Sequence, residues 1–146
     1  MIGKLVFLAC LAATLFMTGV IWFVEVIHYP LMERIGPAAF PAYHADHTRL
    51  TGRVVLIPMV VELLTSAWLL WDRPQGVSLT LAGLGLLAAV ATWGITFFCS
   101  VPAHNQLSLG FDPAWHRWLV ATNLLRAIAW TSHSIILLVA TWRQLD

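Results

Sequence analysis

Two short motifs carry the residue types of metal ligands. They are Glu25-Val26-Ile27-His28 and His44-Ala45-Asp46-His47. In a helix, positions i and i+3 share a face, so each motif can present two ligands to one point. His104 and His116 stand near the ends of later apolar segments and are expected at the same membrane side. Three or four imidazoles with one carboxylate suit iron, copper or zinc, whereas calcium and magnesium prefer oxygen shells. The expected metal ligands are therefore Glu25, His28, His44 and His47, with His104 and His116 as further cofactor-binding residues. A haem held by histidines is one alternative. Interfacial histidines with no cofactor are another. Di-iron helical bundles use two Glu-x-x-His pairs and two further glutamates. This chain has one such pair, one His-x-x-His and Glu62, so a different centre is expected.

A second group of polar residues lies deeper. At 100° per residue, His44, His47, Thr51, Pro58, Glu62 and Thr65 fall in one arc of the second apolar segment. His116, Asn123, Arg126, Trp130 and His133 do the same in the fourth. A membrane helix must turn such a stripe toward the bundle interior or a wet cavity. Glu62 and Arg126 are expected at comparable depth, where they would pair. That pair would either fix helix register or anchor a substrate. Asn123 and Asn105 join them as candidate catalytic residues. Asp46 and Arg49 read as solvated loop charges. Cys10 and Cys99 lie inside apolar segments with no Cys-x-x-Cys pattern, so they read as buried hydrophobes.

The elements that must position these groups follow from composition. The chain has 146 residues, 60% hydrophobic and only 10% charged. Soluble domains carry about 25% charged residues. A formal net charge of +1 gives no basic surface for nucleic acid. Eight tryptophans suit anchoring at headgroup level. Four apolar segments, 5–28, 47–71, 77–101 and 115–142, each exceed the ~20 residues that cross a bilayer core. A helix satisfies its own backbone in lipid. The fold class is thus all-α, an antiparallel up-down four-helix membrane bundle forming one domain over 1–146. Tyr29-Pro30 is expected to end the first helix and Pro102 the third. Pro58 is expected to kink the second. Asp112-Pro113 reads as a helix N-cap followed by proline at the first helical position. Basic residues divide almost evenly between the two sides, with a weak lean toward cytoplasmic termini.

The segments Val101-Pro102-Ala103-His104-Asn105-Gln106-Leu107, Trp115-His116-Arg117-Trp118 and Asn123-Leu124-Leu125-Arg126 resemble those of small bacterial four-span membrane proteins related to the anthrone-oxygenase-like group. The similarity lies in a Pro-x-Asn-type motif after the third helix and a Trp-rich fourth helix. It covers the second half loosely, and the stretch from His28 to His47 departs from the fungal members. The resemblance implies a bacterial inner-membrane protein that oxygenates a polycyclic phenolic substrate without a dedicated cofactor. It carries over to Asn105 and the Arg126 region.

The reading expected from these residues is a metal-dependent membrane oxidoreductase or oxygenase. Its substrate would be a lipophilic aromatic or quinone-like molecule entering from the bilayer and lying between Glu62, Arg126 and Asn123. Imidazoles bind metal when neutral, so activity is expected to fall below about pH 6. A non-catalytic haem-, quinone- or pigment-binding subunit of a larger membrane complex is the second expectation. Proton or metal-ion transport along Glu62, Arg126 and His133 is the third. A homo-oligomer is compatible with each.

Overall fold

A computed structural model describes residues 1–144. Four helices account for nearly all of it: α1 (Ile2–Met32), α2 (Phe40–Trp68), α3 (Leu79–Leu107) and α4 (Pro113–Trp142). Among the described residues there is no strand. The helices have 31, 29, 29 and 30 residues, each apolar enough to cross a membrane. At 1.5 Å per residue even 29 residues span about 43 Å, more than a hydrocarbon core of about 30 Å. The chain is an integral membrane protein by length and composition of its helices.

The bundle is antiparallel. α1 packs on α2 and α4, while α3 packs on α2 and α4. At one end the helix termini meet the hairpin between α2 and α3. Gly3 lies against Asp72, and Gly76 lies against the Arg143 carbonyl, each so closely that a Cβ would stand 2.7 Å from backbone oxygen. Gly76 also has φ +88°, which glycine adopts without strain. The other two loops, 33–39 and 108–112, share the opposite end. There Asp112 accepts from the N–H groups of Ala114 (2.7 Å) and Trp115 (3.0 Å), the N-cap expected from Asp112-Pro113.

Three apolar layers fill the interior. Phe7, Leu69, Val77 and Leu137 pack near the hairpin end. Met17, Ile21, Met59 and Trp130 pack in the middle. Tyr29, Met32, Phe40, Leu107 and Leu119 pack near the loop end. Leu8, Phe16, Ile57, Leu64, Leu87 and Phe98 are exposed on the outer faces, where lipid would cover them. Helix association in lipid rests on close packing and interhelical hydrogen bonds rather than on hydrophobicity.

The prolines behave differently from expectation. Tyr29-Pro30 does not end α1, and Pro102 does not end α3. Each helix instead widens into a π turn just before its proline, at Val24–His28 and at Thr96–Ser100. A proline has no N–H and its ring clashes with the carbonyl four residues back. Widening to i→i+5 bonding relieves that clash and lets the helix continue. α1 thus runs on to Met32 and α3 to Leu107, past the expected limits at His28 and Val101. α2 begins at Phe40 rather than His47 and runs through Pro58 without a break.

Candidate functional site

The loop end of the bundle holds four imidazoles from three helices. His28 comes from the π turn of α1, His44 and His47 from the first two turns of α2, and His104 from the last turns of α3. Ring centres are 4.3 Å apart for His28 and His47, 5.3 Å for His44 and His104, and 5.5 Å for His47 and His104. His44 Nε2 and His104 Nδ1 share a hydrogen bond of 3.1 Å. The His-x-x-His motif therefore meets His104, sixty positions away from His44 in the chain. Among the described residues, no three His, Cys, Asp or Glu side chains converge as a finished metal shell. The imidazoles approach one pairwise.

Neighbouring hydroxyls orient these rings. Tyr29, buried in the loop-end core, places its Oη 3.2 Å from His104 Nε2. Thr51 Oγ1 lies 3.1 Å from His47 Nδ1. Tyr43 Oη lies 3.5 Å from His28 Nε2. With one nitrogen of His104 and one of His47 engaged in this way, the other nitrogen of each ring remains for a ligand or for the other rings.

A cavity of about 350 Å³ opens beside the rings. Its floor and walls are Met17, Val20, Ile21, Val24 and Val55, and its polar lining includes His44, His47, His104, Tyr29 and Asn105. Arg126 also lines it. This guanidinium is 8% exposed and donates to Asn123 Oδ1 (3.3 Å) and Ser100 Oγ (3.4 Å). Its Cζ sits 5.2 Å from the Trp130 ring centre, and Nε has no partner. An arginine at mid-membrane depth costs at least ~2.5–3.5 kcal/mol on the lenient insertion scale.

Glu62 and Arg126 do not pair. Glu62 lies about six turns into α2, whereas Arg126 lies only about three and a half turns into α4. Because both helices start at the loop end, Glu62 reaches the level of Trp130 and His133 instead. Its Oε1 accepts from His133 Nδ1 (2.7 Å) and Thr14 Oγ1 (3.2 Å), and its Oε2 accepts from Trp130 Nε1 (2.7 Å). Glu62 is 0% exposed and does not line the cavity. The expected file through Glu62, Arg126 and His133 is therefore broken at Arg126.

Other expected residues separate as well. Glu25 and His28 do not act from one face, because the π turn between them alters the helical spacing on which that expectation rests. Glu25 Oε2 accepts from Asn123 Nδ2 at 2.7 Å, which places Asn123 between Glu25 and Arg126. His116 donates from Nε2 to the Tyr29 carbonyl (2.9 Å), and its Nδ1 lies 3.1 Å from Glu33 Oε1 without hydrogen-bond alignment. It thus supports the backbone of Tyr29 from behind and does not face the cavity. Asn105 is exposed yet lines the cavity mouth. Asp46 and Arg49 form an exposed pair at 2.8 Å.

Three participants escaped the sequence reading: Tyr29, Ser100 and Thr14. Tyr29 stands next to His28, but with a helix expected to end there its ring had no assigned direction. Ser100 closes the second π turn, whose only sequence signal is Pro102 two positions on. No protein-family profile, curated protein or solved structure matches this chain.

Proposed function

We propose that the protein is a membrane-embedded oxidoreductase that binds a transition metal at His44, His47 and His104, with His28 adjacent, and acts on a lipophilic molecule in the neighbouring cavity. The observation that carries this reading is the convergence of imidazoles from two helices, His44 and His47 of α2 and His104 of α3, on one wall of a cavity whose remaining walls are mostly apolar. Two nitrogens bound to one tetrahedral ion at ~2.0–2.1 Å are ~3.3 Å apart, and their ring centres are ~5 Å apart. His44 and His104 approach at 3.1 Å between nitrogens and 5.3 Å between centres. The ring centre of the third imidazole, His47, lies 5.5 Å from that of His104 and 6.3 Å from that of His44.

The bound ion would supply one-electron or oxygen chemistry. The chain's own residues do the rest. Tyr29 and Thr51 fix the rings of His104 and His47, as outer-shell partners of metal ligands commonly do. Met17, Ile21 and Val55 give the chamber an apolar lining. Arg126 and Asn105 offer polar contacts to a substrate. The resemblance of the second half to the anthrone-oxygenase-like group fits an oxidation of an aromatic molecule, and the histidine wall adds a cofactor that this group does not require.

Elemental analysis tests the reading. Protein purified without chelators and loaded with iron, copper or zinc should hold about one ion per chain, and His44→Ala and His104→Ala should hold less than a tenth of that. Unchanged metal content in both variants refutes the site. Oxygen uptake with a hydrophobic hydroquinone tests the reaction separately. A metal-replete protein with no uptake would instead be a non-catalytic binding subunit.

A further inference from the structure

Among the described residues, no carboxylate forms a salt bridge with Arg126. Its partners are the neutral Asn123, Ser100 and the Trp130 ring. The nearest carboxylate it is linked to, Glu25, stops at Asn123 Nδ2. Glu62, at the next level, is fully committed to His133, Trp130 and Thr14. Among the described residues, no Asp or Glu lines the cavity that Arg126 borders. A charge more than nine-tenths buried that borders an open chamber, with an Nε that has no partner among the described residues, is a receptor for negative charge.

A second cavity shows where the rest of such a ligand would lie. An apolar groove of about 430 Å³ runs on the outer surface between α1 and α2, lined by Gly19, Phe23, Leu50 and Val54. It shares Val20, Val24, His47 and Thr51 with the inner chamber. Gly19 has nothing within 4 Å of where its Cβ would stand, so the groove has room at that position. Phe23, Leu50 and Val54 are exposed on the lipid-facing side.

We propose that the ligand is an amphiphile with a terminal oxyanion, a carboxylate or ionised phenol, which Arg126 binds while its apolar body extends through the α1–α2 seam into the groove. This deepens the proposed reading of the chamber as a substrate site. It also sets the ligand's polarity: charged end inward, apolar end toward lipid. The head then lies within the chamber that the imidazoles border.

Calorimetric binding in a neutral detergent at pH 7.5 tests this with oleate, methyl oleate, oleyl alcohol and acetate. Wild type should bind oleate at least tenfold more tightly than the ester or the alcohol, and acetate at least a hundredfold more weakly than oleate. Arg126→Met should erase the acid–ester difference and Arg126→Lys should keep part of it. Gly19→Trp should weaken oleate at least tenfold. Metal content should stay unchanged in all three variants, so loss of oleate binding with metal retained is separate from loss of the metal site. Equal affinity for acid and ester in wild type overturns the proposal without any variant. So does a preference for acid that survives Arg126→Met but vanishes in His44→Ala, which would put the oxyanion on the metal.

Discussion

The bundle buries two polar clusters, and they differ in one respect. Around Glu62 every strong group is matched: one carboxylate accepts from an imidazole, an indole and a hydroxyl, and it is sealed from solvent and from the chamber. Around His44, His47, His104 and Arg126 the groups are matched only in part, and they border open space. A closed network specifies how helices fit together. A half-satisfied one that faces a cavity is held ready for something else, because leaving it incomplete costs stability. Trp130 joins the two, donating to Glu62 from its N–H while its face meets Arg126.

The sharpest way to break this contrast is Glu62→Ala. It strands three buried donors at once, so stability should fall by on the order of 3–5 kcal/mol, with metal content of the surviving folded fraction unchanged. Thermal unfolding in detergent reads the first and elemental analysis the second. A variant as stable as wild type would mean that the closed cluster is not structural. Next in size is Tyr29→Phe, which removes the hydroxyl behind His104. Metal affinity should drop about 10–100-fold in a competition titration, with little change in melting temperature. Equal affinity would detach Tyr29 from the ligand set. Asp112→Ala should cost about 1 kcal/mol through the lost N-cap and leave metal binding alone. The smallest effect belongs to Asp46→Ala. Its exposed pair with Arg49 should contribute less than about 1 kcal/mol, and a large loss of metal there would extend the site to the exposed face of α2.

Much of this was legible beforehand. Hydropathy marks four spans, and the stripes on α2 and α4 point inward: His44, His47 and Glu62 are buried, as are His116, Asn123, Arg126, Trp130 and His133. What periodicity misses is depth and local pitch. The pairing of Glu62 with Arg126 rested on counting from His47, but α2 starts seven residues earlier, at Phe40, which lowers Glu62 toward the hairpin. The joint action of Glu25 and His28 rested on α-helical pitch, which the π turn does not have. Proline was read as a terminator, yet its steric demand can be met by widening a helix as well as by ending it.

Those two wide turns make the histidine wall sensitive to chain length. Each accommodates one residue more than a regular helix would. With that extra residue already taken up, inserting one more after Ile27 should swing everything after it by about 100°. Tyr29 would leave His104, and its carbonyl would leave His116. A one-residue insertion near Gly94, before the second wide turn, should rotate His104 away from α2 in the same manner. Such lengthened chains would still insert, since their greasy surfaces are nearly intact. They would separate the ability to enter a bilayer from the ability to assemble the imidazoles, two properties that ordinary point substitutions in this small bundle tend to disturb together.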